Sequence, residues 1–267
     1  MKRYLLAALM FLSPKMFALT HSVAAEDGLW SSVVEIEVDG KDQDGSLAPG
    51  YCVATLVRNN VLLTAAHCVS DALQMGIRRI SVRTGHYVYH TRPDGSKQRI
   101  GYKPDPFVKT MANFLVRDRN PGPADDLAVV VLDQPMTLPA DFPLAQITSS
   151  AEVSAVRSHI ASYSPSVITI NSMAAADTTD VRRWAQLNSF SFTGSGYYQS
   201  NSVARLEPGD SGGPVFVKIG TQWKLLATVK GQAKSYFSDW DVYESIHDNL
   251  CATVSGHADL QKAFCSN

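Results

Sequence analysis

The sequence predicts an all-β protein. Three observations carry that prediction: many short apolar or alternating runs, turn-forming residues between them, and no long helical period before the final segment. The chain has 267 residues, of which 45% are hydrophobic. That is enough for one large or two small packed domains.

The first segment is set apart from the fold. Met1-Lys2-Arg3 makes a basic start, Tyr4 to Leu12 is almost wholly apolar, and Val23-Ala24-Ala25 forms a small-residue cleavage site before Glu26. This order reads as a secretory signal peptide over residues 1–25. The apolar run falls short of the roughly 20 residues a membrane span needs, and Pro14 and Lys15 interrupt it. The expected location is therefore extracellular, or periplasmic in a Gram-negative cell, with no membrane attachment after signal cleavage. Losing Lys2, Arg3 and Lys15 and no acid takes the formal charge from −1 to −4. A mildly acidic chain without a basic stripe offers no footprint for nucleic acid.

The strand candidates follow in order. They are Val33 to Val38, Cys52 to Val57, Val61 to Leu63, Leu127 to Leu132, Val167 to Ile170, Pro214 to Val217 and Leu225 to Val229. Asp39-Gly40, Asn59-Asn60, Pro93-Asp94-Gly95-Ser96 and Ile219-Gly220 read as the turns between them. Short strands at this spacing point to a sandwich or barrel. Residues 96–125 are polar and hold Pro104, Pro106, Pro121 and Pro123, which predicts a long surface excursion. Gln134 to Pro143 holds three prolines and little periodicity. It is the expected linker between an N-terminal unit over 26–140 and a C-terminal unit over 141–267. Leu260, Ala263 and Phe264 share a face at helical spacing, which predicts a short helix over His257 to Phe264.

Four cysteines behind an export signal imply two disulfides among three possible pairings. Cys52–Cys68 and Cys251–Cys265 are favoured because each closes a short local loop. A zinc site lacks support, since there is no Cys-x-x-Cys and no close histidine pair.

Three segments carry chemistry. In Glu207-Pro-Gly-Asp-Ser-Gly-Gly-Pro214, a glycine-rich turn can present a serine together with main-chain amides aimed at one small space. Ser211 is the candidate nucleophile, and the amides of Gly209 and Ser211 are the candidate oxyanion hole. In Leu63-Thr-Ala-Ala-His-Cys68, His67 follows an apolar run beside a cysteine that can staple its loop, a rigid mount for a general base. His86, His90, His159, His247 and His257 lack such a setting. In Asp125-Asp126-Leu-Ala-Val-Val-Val-Leu132, an acid stands at the mouth of an apolar strand, where it can orient an imidazole.

Together, Thr-Ala-Ala-His-Cys at 64–68, Asp-Leu-Ala at 126–128 and Gly-Asp-Ser-Gly-Gly-Pro at 209–214 resemble the chymotrypsin–trypsin family of serine proteases, in that family's order. The resemblance extends to Cys52–Cys68 and to Val242-Tyr243. It implies two six-stranded antiparallel Greek-key β-barrels, with His67 and Asp126 from the first, Ser211 from the second, and a short C-terminal helix. It also selects Asp126 over Asp125 as the acid. The expected activity is a secreted serine endopeptidase acting on protein or peptide substrates as a monomer, without a cofactor or metal.

Two departures from the family stand out. The usual Ile-Val-Gly-Gly start that pairs with the aspartate before the nucleophile, here Asp210, is replaced by Glu26-Asp27-Gly28-Leu29 after the signal. Signal removal alone is therefore expected to yield the active form, with Asp210 paired by an internal cation or by the new terminus. The substrate-pocket positions hold Arg205 and Asp241, and the pocket wall near Val229-Lys230-Gly231-Gln232 departs from the family's usual Ser-Trp-Gly. A basic floor favours acidic substrates, whereas Asp241 favours basic ones or neutralises Arg205.

The rival functions are an inactive binding module on the same fold and an α/β-hydrolase. The latter needs Ser, acid and His in that order, yet only 56 residues follow Ser211.

Overall fold

The computed structural model describes residues 23–24, 30–41, 45–117, 125–160, 167–171, 183–234 and 239–265. Most of the expected signal segment lies outside the described residues, as do Pro121 and Pro123. The described chain runs β1 (Val23–Ala24), β2 (Val33–Lys41), β3 (Leu47–Arg58), β4 (Val61–Ala65), α1 (His67–Gln74) and β5 (Arg79–Arg83). Next come β6 (Gly85–Thr91), β7 (Lys97–Pro104), β8 (Val108–Val116), β9 (Leu127–Leu132) and α2 (Ser150–Ile160). The second half holds β10 (Val167–Asn171), β11 (Arg183–Gln186), β12 (Ser191–Phe192), β13 (Tyr197–Ser200) and β14 (Pro214–Ile219). It ends with β15 (Gln222–Lys234), β16 (Asp239–Ser245), α3 (Ile246–Thr253) and α4 (Ala258–Cys265).

The fold is mostly β with a short C-terminal helix, as the sequence predicts. Strands β2-β3-β4-β9-β8-β5 close into a six-stranded antiparallel barrel. The second unit is a half-barrel, an open sheet of eight strands in the order β1-β11-β10-β14-β15-β16-β13-β12. Strands β6 and β7 form a separate hairpin. β1 sits at the sheet's edge, paired with Arg183 and Trp184 of β11. It falls within the expected signal segment, so a cut after Ala25 would remove it.

The apolar runs are continuous because both faces of the central strands are buried. Along β4, Leu62 points into the barrel's interior core, while Val61 and Leu63 join a second core shared with the other unit. β9 repeats the division, with Ala128, Val130 and Leu132 inside and Leu127 and Val129 toward the shared core. Each such Val or Leu contributes about 1.5–3 kcal/mol by leaving water. The shared core takes in Trp30, whose ring lies 5.3 Å from Phe216 and 5.7 Å from Trp223. A third core fills the half-barrel around Tyr198, Val215, Leu226 and Tyr243.

The helix at the C-terminus docks as expected, with Leu260 of α4 and Ile246 and Leu250 of α3 in the shared core. The disulfide Cys251–Cys265 staples α3 to α4, and Cys52–Cys68 ties β3 to α1.

Three expectations change. The excursion over residues 96–125 contains β8, a full barrel strand paired with β5 and β9, with Ala112 and Phe114 buried. Lys109 and Asn113 alternate with the buried positions, and the strand sits within a largely polar, proline-rich stretch that hid its role. Asp39-Gly40 is not a turn but part of β2, paired with Pro49 and Ala48. Helix α2 was not foreseen, although it has a capping box: Ser149 donates its amide to Glu152 Oε2 at 2.8 Å, and Glu152 donates back to Ser149 Oγ at 3.4 Å. Residues 134–143, the expected linker, hold no helix or strand.

The two units meet most closely at Gly212. Its φ is +77°, and a Cβ there would stand 2.1 Å from Thr64 Oγ1 and 2.3 Å from the Val53 carbonyl oxygen. Those two atoms are themselves hydrogen-bonded at 2.7 Å, so neither can retreat freely. Beside them, the Val53 amide donates to the Ser211 carbonyl at 2.8 Å. Gly212→Ala combines a left-handed backbone with a collision against buried main chain. We expect it to lower stability by about 3 kcal/mol or more, read as a drop in the urea midpoint. An unchanged midpoint would show that the seam can open without cost.

Candidate active site

The site grows from strand pairing. Thr64 and Ala65 at the end of β4 pair with Ala128 and Leu127 at the start of β9. The residues just beyond these strand ends, His67 and Asp126, are thereby brought side by side. The Ala66 amide donates to the Asp126 carbonyl at 3.0 Å, and the His67 amide donates to Asp126 Oδ1 at 2.9 Å. His67 Nδ1 lies 2.9 Å from Oδ2 and 3.2 Å from Oδ1 of the same carboxylate. Asp126 is 5% exposed, whereas the His67 side chain is about two-fifths exposed. The acid is thus sheltered and the imidazole opens toward solvent. Asp125 points elsewhere, accepting from Arg117 at 2.8 Å. Geometry therefore gives the imidazole to Asp126.

Ser211 is tied to the barrel through β3. Cys52 is bonded to Cys68, the neighbour of His67, while Val53 holds the Ser211 carbonyl. Two adjacent residues of one strand thus tether the histidine loop and the serine loop. The serine turn is shaped by main-chain bonds from Asp210 to Glu207, Gly213 to Asp210 and Gly212 to Val229, of 2.8–3.0 Å. Among the described residues, no main-chain carbonyl accepts from the amides of Gly209 or Ser211. Gly209 has φ +102°, which a side chain would strain. These features suit two amides directed at a shared point. Asp210 is buried, and its Oδ2 accepts the Glu207 amide at 2.9 Å.

A cavity of about 190 Å³ adjoins Ser211, lined by Leu206, Glu207, Val229, Gly231 and Gln232 among others. Gly231 and Gln232, two of the residues expected at the pocket, line this cavity. Gln232 Nε2 donates to the Leu206 carbonyl at 2.7 Å, closing one wall. Arg205 and Asp241 meet each other, with Nε 3.4 Å from Oδ1, and Asp241 is 1% exposed. Burial pushes the Asp241 carboxyl up to about 6, against the opposing pull of the Arg205 charge. Arg205, Asp241 and Lys230, all expected at the pocket, do not line the cavity; the Lys230 ammonium lies 3.6 Å from Glu244. Larger cavities of about 430 and 500 Å³ lie on the barrel's flank around His257, away from Ser211.

Cys52, Cys68 and His67 bring ligand-type atoms within 4.8 Å of one another. Both sulfurs are spent in the disulfide, so the cluster offers a metal only one imidazole. Sequence reasoning missed Val53, Gly212 and Glu244. Gly212 stood in the serine motif, but its role as the contact with the barrel shows only in three dimensions. Nothing in the local pattern around Glu244 marks it as buried.

A search of curated proteins found no match. Among protein families, the one described as Trypsin matches residues 22–236. The match covers most of the chain, including all three motif segments and the barrel that aligns His67 with Asp126. The chain belongs to the trypsin family.

Proposed function

We propose that this protein is an exported serine endopeptidase that cleaves peptide bonds through an acyl-enzyme. The observation that carries the reading is the convergence on β3: Cys52 tethers the His67 loop while Val53 tethers Ser211. In this mechanism His67, acting through Nε2, takes the Ser211 hydroxyl proton as Oγ attacks the scissile carbonyl carbon. Asp126, already bonded to Nδ1, fixes the tautomer and stabilises the imidazolium. The amides of Gly209 and Ser211 receive the oxyanion, a contribution of about 3–4 kcal/mol for one such donor in comparable sites. His67 then protonates the leaving amine, the C–N bond breaks, and water hydrolyses the acyl-enzyme by the reverse proton path.

Export is supported by the basic and apolar leader and by two disulfides, which persist in oxidising compartments. No helix among the described residues is long and apolar enough to cross a membrane.

The region behind the cavity lining is proposed to be neutral, because Arg205 and Asp241, which lie outside that lining, pair with each other. With Leu206 and Val229 in a small cavity, this favours uncharged, modest side chains before the cleaved bond. Asp241 is raised, so its charge is present above about pH 6 and lost below it. Protonation then removes the Asp241 charge that faces Arg205.

Fluorophosphonate labelling should occur in the wild type and vanish in Ser211→Ala. Absence of Ser211-dependent labelling in folded protein would instead support a binding module. Asp126→Asn should fold normally while turnover falls by about three to four orders of magnitude, through the wrong imidazole tautomer. Undiminished turnover would remove Asp126 from the mechanism. On peptide libraries, the ratio of kcat/KM for a P1 Glu over a P1 Ala should rise severalfold from pH 8 to pH 5.5. In Asp241→Asn the ratio should be high at both pH values. Cleavage after Lys or Arg would show that Asp241, not the ion pair, sets the floor.

A further inference from the structure

Between the serine turn and the cavity wall, β15 carries one residue that its partner strand does not match. Val229 pairs with Tyr243 and Gly231 with Val242, so Lys230 is the extra residue of a β-bulge. Gly231 follows at φ +148°, a backbone that side chains rarely adopt. On one side of the bulge, Val229 bonds to the serine turn: its amide donates to the Gly213 carbonyl at 2.7 Å, and its carbonyl accepts from the Gly212 amide at 2.8 Å. On the other side, Gly231 and Gln232 line the cavity beside Ser211.

The bulge decides which side chain the wall presents. Gln232 stands opposite Asp241 and donates Nε2 to the Leu206 carbonyl at 2.7 Å. Without the extra residue, the pairing of Val229 with Tyr243 would continue to Gly231 opposite Asp241 and Gln232 opposite Trp240. A slip of one position turns every side chain beyond it to the other face of the sheet.

The bulged side chain is held in place by charge. Lys230 Nζ lies 3.6 Å from Oε2 of Glu244 on β16, a residue that is 0% exposed. Neither atom has a hydrogen-bond partner among the described residues, so charge attraction is what joins them. Glu244 is itself fixed from α3, where Asn249 Nδ2 donates to Glu244 Oε1 at 2.5 Å and to the Ser245 carbonyl at 3.1 Å. An apolar pair of similar volume would be at least as stable, and setting a register is the best-attested use of a buried charge pair.

We infer that Lys230 and Glu244 are positioning residues that set the register of the cavity wall, and through it the selectivity for the side chain before the cleaved bond. Lys230 lies outside the cavity lining and acts through Gly231 and Gln232. The inference rests on the proposed protease function and adds to it what shapes the pocket.

The test is the double change Lys230→Met with Glu244→Gln, which removes both charges and keeps an acceptor for Asn249. On peptide substrates at pH 8, KM should rise about fivefold and kcat should stay within about twofold, the pattern of lost binding rather than lost chemistry. Discrimination between a P1 Ala and a P1 Leu, read as the ratio of kcat/KM, should shrink about threefold or more. Wild-type KM and P1 ratio in the folded double variant would overturn the inference, and so would a fall in kcat as large as the rise in KM. If the double variant does not fold, Glu244→Gln alone decides by the same measures, since the part-exposed Lys230 can then turn its ammonium to water. The Gly231 amide resonance in Ser211→Ala protein gives a readout without turnover. Adding the double change should split or broaden that resonance while those of Leu225 to Thr228 stay sharp, and a single sharp Gly231 resonance would refute the register role. A wild type without Ser211-dependent turnover would sink the protease reading and leave that resonance to judge the pair.

Discussion

The structure depends on how closely the serine turn lies against the barrel. Gly212 fits between Thr64 and Val53 because it has no side chain, and Val53 spends its amide on the Ser211 carbonyl. Everything that the site requires is tied to that approach. The residue that receives Ser211 is the neighbour of Cys52, and Cys52 is covalently joined to the neighbour of His67. Distance between the two loops is therefore set by main chain and a disulfide rather than by flexible side chains, the rigidity that positioning a nucleophile and a base demands.

Hydrophobic burial supplies the adhesion around this seam. Trp30, Phe216 and Leu225 meet Val57, Leu63 and Val129 in a core that belongs to both units, and α3 and α4 extend it. The half-barrel also buries two acids, each with a cation close by. Arg205 meets Asp241 and Lys230 approaches Glu244, each acid almost fully buried. In both pairs burial, not the partner, dominates the acid's ionisation and raises it. Such pairs rarely add stability over apolar packing. Both acids stand on β16, three residues apart, so one strand carries both buried pairs.

Much of this was legible in the sequence. The runs Val61 to Leu63 and Leu127 to Leu132 announce strands buried on both faces, and the motifs around His67, Asp126 and Ser211 mark loops at strand ends. The local loops favoured for the two disulfides match those formed. What stayed hidden depends on partners distant in the chain. β8 looks like a polar loop because its outward residues face water, and its inward Ala112 and Phe114 gain meaning only once β5 and β9 flank it. Arg205 and Asp241 could be placed at one pocket by resemblance, but their mutual pairing is a fact of geometry. Glu244 offered no pattern at all; a lone acid ahead of a helix ordinarily faces solvent.

The bond between Val53 and Ser211 also spans an interval of sequence longer than half the chain. The first unit on its own can align an imidazole with an acid, and the second can shape a serine turn, but neither contains the other's part. Contacts of such high order form late, after the loop-closure entropy of the intervening chain has been overcome. Assembly of the site is thus a property of the docked pair rather than of either half. A chain still in extended form carries all the side chains of the candidate site and none of their arrangement, which exists only once the two units dock.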